Sequence, residues 1–139
     1  MQLIDEIVLP KNWQELIAIK EIIPFCINKV TRFPKGNQVY EDYKKSLSRD
    51  KQIQHIFDEM GNRNLKITIN KFPYLRLIQY IPEVRHYCLW SKNGEPSIKS
   101  IESEIKKQFP TNDYFWFVNP PNNKSVPEIW HCQIFVREN

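Results

Sequence analysis

The sequence predicts an α+β fold, with N-terminal helices packed on a small, mainly antiparallel sheet. Three observations carry this expectation. Apolar residues recur at helical spacing between residues 12 and 60; from Leu65 the period changes to alternation; and strand-like runs follow at 84–91, 114–118 and 129–136, with one helical stretch among them. Helices gathered ahead of strands favour a segregated arrangement over a wound parallel sheet. A chain of 139 residues can bury one real core, so a single domain is expected, with 1–61 as its helical part and 62–139 as its sheet part with one helix.

Each element has a local reason. Asn12 can cap a first helix over 12–23, with Glu15 three residues on and Trp13, Leu16, Ile17 and Ile23 sharing a face, until Pro24 ends it. The Phe33-Pro34 step disfavours helix, which delays a second one to about Asn37, with Val39, Tyr40, Tyr43 and Leu47 inward. Asp50 is the predicted cap of the third helix, where Ile53, Ile56, Phe57 and Met60 form the stripe and Gly61 the stop. His55, beside that stripe, reads as an ordinary helix histidine.

From there the pattern alternates. Leu65, Ile67 and Ile69 alternate with Lys66, Thr68 and Asn70 as a half-buried strand over 65–70, and residues 75–81 read as irregular or as a short strand before Pro82. A second strand over 84–91 puts Val84, His86, Cys88 and Trp90 on one face. Asn93-Gly94-Glu95-Pro96 is turn chemistry, after which Ser97 caps a fourth helix that buries Ile98, Ile101 and Ile105, is supported by a Glu102–Lys106 pair, and ends at Pro110. In the last strand Trp130, Cys132, Ile134 and Val136 make an apolar face, so His131, Gln133 and Phe135 point the other way.

Composition narrows the functional classes. The net charge of +4 comes from scattered lysines, which read as solvated faces; an extended nucleic-acid surface would interleave Lys and Arg with aromatics and is not expected. Three widely spaced cysteines make neither a disulfide framework nor a zinc site, so no metal or cofactor is expected and a reducing, cytoplasmic setting is. No signal-like N-terminus and no apolar run of roughly 18 residues occurs, so no membrane partner is expected. Frequent Ile, Lys and Asn fit an AT-rich genome, a large DNA virus being one source.

The chemistry-bearing residues gather late in the chain. His86 and His131, on two strands, have the side chains of a general acid and base, and would serve a phosphoester if both reached one bond. The loop Asn119-Pro-Pro-Asn-Asn-Lys-Ser could offer Asn119, the Lys124 ammonium, the Ser125 hydroxyl and main-chain N–H groups to an anion. Trp90, Ser91, Lys92, Asn70 and Gln133 complete the candidate ligand-binding set. Beside this stands the plain alternative: sheet histidines satisfied in a core, a turn-forming asparagine, and Trp90, Trp116 and Trp130 as fillers.

NKFPY at 70–74, HYCLWSK at 86–92 and FVNPPNNKSVPEIWHCQIFVR at 117–137 resemble the uncharacterised fungal family of N-acetylglucosamine-induced proteins, and the helical start is similar as well. The resemblance implies no catalytic residue, since that family is known by its induction. It marks Asn70, Pro73, His86, Trp90, Ser91, Asn119, Pro120, Ser125, Pro127 and His131 as shared positions. Relatives often read His-x-His where this chain reads His131-Cys132-Gln133, so a mechanism using both of those histidines would fail here. The expectation is a protein that binds a phosphorylated small molecule or nucleotide, with phosphoesterase activity through His86 and His131 as its catalytic form. The alternative is a non-catalytic nucleotide- or RNA-cap-like binder or a protein-interaction module. Oligomeric state is left open.

Overall fold

Alternating segments from Leu65 onward form one four-stranded sheet, entirely antiparallel, in the order β1-β2-β4-β3. Its strands are β1 (Leu65–Ile69), β2 (Val84–Ser91), β3 (Asp113–Phe117) and β4 (Trp130–Arg137). The helices are α1 (Trp13–Ala18), α2 (Pro34–Ser46), α3 (Arg49–Met60) and α4 (Ile98–Gln108). The computed structural model describes residues 8–25, 31–120 and 128–138. The fold is α+β, with three α-helices ahead of the sheet and one between its strands among the described residues.

Both faces of the sheet are covered, by different parts of the chain. On one, Ile67, Leu89, Cys132, Ile134 and Val136 pack against Ile101, Ile105 and Phe109 of the α4 region. On the other, Val84, Phe115 and Phe135 meet Trp13, Leu16 and Ile23 from the N-terminal part, and Tyr74, Leu77, Ile78 and Ile81. Phe135, fully buried, stacks on both Phe115 and His86, with ring centroids 5.3 and 4.5 Å away. The cover over this second face thus comes partly from a segment with neither helix nor strand, whose turns bury four large side chains.

Several local expectations change. The first helix stops at Ala18, and a 3-10 turn at Ile23–Phe25 brings Ile23 inward while Ile17 stays 37% exposed. The second helix begins at Pro34 and not at Asn37, because proline at the first helical position loses no hydrogen bond there; Val39 is then turned outward. Ser48 caps α3 by accepting the Lys51 N–H, in place of Asp50, and Gln52 is buried on that helix because its amide reaches the Lys44 and Leu47 carbonyls. Ile98 lies too near the start of α4 to be covered and is 69% exposed. Glu102 accepts hydrogen bonds from Trp116 Nε1 and the Tyr114 hydroxyl instead of serving a helix-surface pair.

Candidate functional site

Strand parity brings the predicted residues to one face. His86 lies opposite Phe135, Cys88 opposite Gln133 and Trp90 opposite His131, and cross-strand partners share a side. His86 and His131 are therefore on the same face, yet a full row of Cys88 and Gln133 stands between them. Four residues along β4 separate the His86 row from His131, and four residues of strand span about 13 Å. This corrects the expectation of a histidine acid–base pair: the two rings do not reach one scissile bond.

His86 is committed to the fold through both ring nitrogens. The Tyr74 backbone N–H donates to Nδ1 at 3.2 Å, which leaves the ring proton on Nε2, where it is donated to Gln133 Oε1 at 2.6 Å. Burial pushes its pKa down to about 3, the nearby Arg32 charge acts in the same direction, and the Gln133 bond opposes them only in part. At neutral pH the ring is uncharged and its acceptor nitrogen is occupied, so it has no free lone pair to act as a base.

The neighbours of His86 complete a network that pins a turn to the sheet. Asn70 Oδ1 accepts the Phe72 N–H at 2.7 Å, and its amide donates to Gln133 Oε1 at 3.3 Å. Pro73 follows, and Tyr74 then returns its N–H to His86 and its ring to 4.6 Å from the imidazole. The Asn119 amide donates to the Tyr74 hydroxyl at 3.2 Å, tying the end of β3 to the same turn. Arg32, also buried, donates from Nε to the Phe72 carbonyl and lies over the Tyr40 ring. Asn70, Pro73, Tyr74, His86, Asn119 and Gln133 therefore act together as a scaffold around one non-helical turn.

The remaining candidates divide. His131 is buried against Trp90, ring centroids 4.4 Å apart, with its Nδ1–H donating to the Ile129 carbonyl. The Trp90 indole N–H donates to Thr68 Oγ1 at 3.2 Å, the partner a part-buried indole needs. Ser91 is spent on the Gly94 carbonyl in the turn after β2, and Lys92 on the Gly61 carbonyl after α3. Lys124 and Ser125 lie outside the described residues. Among the described residues no three His, Cys, Asp or Glu side chains gather as metal ligands, and no helix is long and apolar enough to cross a membrane.

A different site comes from residues that are dull in the sequence. Arg63, Lys66, Ile67, Glu104, Lys107 and Gln108 line an open cleft of about 370 Å³ between the β1 edge and the last turn of α4. Glu104 is paired with Arg63, whose Nε also donates to the Leu65 carbonyl at 3.0 Å. Arg63 and Lys107 thus face one carboxylate on the α4 side of the sheet, while Lys66, in register with Trp90, carries its side chain on the opposite face. Arg63 and Lys107 are far apart in the chain, so no local motif could have revealed them; only the packing of α4 beside β1 joins them.

No protein-family model and no curated protein matches the chain. The solved structure of a protein called HTC1 is similar, with a TM-score of 0.59 and 19% identity over 94% of this chain and 86% of that one. At that identity the likeness is one of fold.

Proposed function

We propose that this domain is a non-catalytic binding module for an anionic ligand, which it holds by charge in the cleft between β1 and α4. The observation that carries the reading is the charge of that cleft: Glu104 is engaged by Arg63, which leaves Lys107 facing the opening without a carboxylate among the lining residues. A phosphorylated small molecule or nucleotide is one chemistry that such a cleft accommodates, since phosphate oxygens accept from both guanidinium and ammonium donors. The histidine residues serve the fold in this reading, and phosphoester turnover is not required of them.

Thermal shift with AMP, a hexose phosphate and inorganic phosphate tests it, at low salt and again at about 0.5 M, where exposed charge interactions are screened. The expected result is a stabilisation that fades with salt and is lost in Lys107→Ala. Release of product from an activated phosphodiester that disappears on His131→Ala would instead restore the catalytic reading. If every anion, acidic peptides included, leaves the melting temperature unchanged, the module reading fails.

A further inference from the structure

The outer edge of β1 has open main-chain hydrogen-bonding groups, and their identity follows from the ladder. The Asn64 carbonyl accepts the Lys92 N–H at 2.9 Å, and the Asn70 N–H donates to the His86 carbonyl at 3.0 Å, so even-numbered residues of β1 face β2. Leu65, Ile67 and Ile69 therefore direct their N–H and C=O groups outward. Arg63 Nε covers the Leu65 carbonyl; among the described residues the outward groups of Ile67 and Ile69 have no hydrogen-bond partner.

We propose that an acidic, extended segment of a partner protein adds to this edge as a fifth strand, a proposal that rests on the anion-binding reading of the cleft and names its occupant. Three features converge there. Ile67 lines the cleft, and its outward amide and carbonyl, with those of Ile69, give a two-residue template for main-chain pairing. Lys107 and Arg63 flank that template on its α4 side and Lys66 on the opposite face, and they supply the charge that an acidic segment complements. Ile69, 60% exposed at the end of the strand, offers one apolar contact for an alternate side chain of the incoming strand.

Lysine on an edge strand commonly guards against unwanted pairing. The same charge makes this edge selective: it repels basic strands, including β1 of a second copy, which would bring its own Lys66. A small phosphate ester would satisfy the cations but leave the Ile67 and Ile69 amides unpaired. Main-chain pairing uses both sets of groups at once.

The test uses the full chain and a fluorescein-labelled, acetylated octapeptide of alternating Glu and Val, read by fluorescence anisotropy. A second version carries N-methyl groups on alternate residues, which keeps the charge and removes main-chain donors. The expected results are saturable binding of the first peptide and a loss of at least about tenfold with the N-methylated one. A similar loss is expected in Lys107→Glu, along with slowed hydrogen exchange at the Ile67 and Ile69 amides. Equal binding of both peptides, or unchanged exchange at those amides, overturns strand addition. AMP or inorganic phosphate binding in a Lys107-dependent way while the octapeptide does not bind also overturns it and leaves the anion reading standing. If neither peptide nor phosphate binds, both fall.

Discussion

His86 donates its ring proton to Gln133 over 2.6 Å while accepting the Tyr74 N–H, so its burial holds the imidazole neutral in one tautomer. That arrangement links stability to pH. The folded-state pKa is depressed from 6.5 to about 3, so as pH falls below 6.5 the unfolded chain takes up a proton that the folded chain refuses. Stability present above about pH 6.5 is lost toward pH 3, at up to about 1.4 kcal/mol per pH unit from this group. Urea unfolding at a series of pH values measures the slope, and His86→Gln should flatten it. An unchanged slope in that variant would put the acid sensitivity elsewhere.

Asn70 is the hinge pin of the turn that follows β1. Asn70→Ala removes the acceptor for the Phe72 N–H and a donor to Gln133, and should cost about 1–3 kcal/mol. Hydrogen exchange should show the loss first at the Phe72 and Tyr74 amides. Uniform loss across the sheet would mean that the turn is not its own cooperative unit.

Core positions separate cleanly by burial. Ile134, fully buried under α4, should lose about 2–5 kcal/mol on truncation to alanine. Phe57, only half-buried on α3, should lose less than Ile134. Chemical denaturation of the two variants checks the order, and a reversal would show that α3 presses more tightly on β1 than its exposure indicates.

The thiols of Cys88 and Cys132 should be inert in the folded protein. Burial pushes the Cys88 thiol up to about 12 and raises the Cys132 thiol as well, and the two lie on opposite faces of the sheet. A brief alkylation pulse at about pH 8, mapped by mass spectrometry, should leave both unmodified until urea unfolds the chain. Labelling of either in native conditions would point to local opening of β2 or β4.

Periodicity alone was enough for the α+β class, the antiparallel sheet and the exact span of β2, because side-chain alternation is a local property and both faces of that strand carry legible patterns. That His86 and His131 share a face was expected only if β2 and β4 were neighbours, which the sheet order decides. Helix starts were less legible: the switch from Asp50 to Ser48 at α3 is a shift of two residues, decided by which hydroxyl or carboxylate reaches a free N–H.

Row position across the sheet was not legible at all. Parity says which side a residue faces, but the register of β2 against β4 decides that His86 meets Phe135 and His131 meets Trp90, which separates the pair. Register also set the use of Asn70, Asn119 and Gln133, whose partners lie up to 63 residues away in sequence and close only when the 70–74 turn folds back on the sheet. The cationic cleft has the same origin. Arg63 and Lys107 are ordinary surface residues in sequence, and they act together only because α4 lies along the β1 edge, a long-range packing outcome that no local pattern encodes.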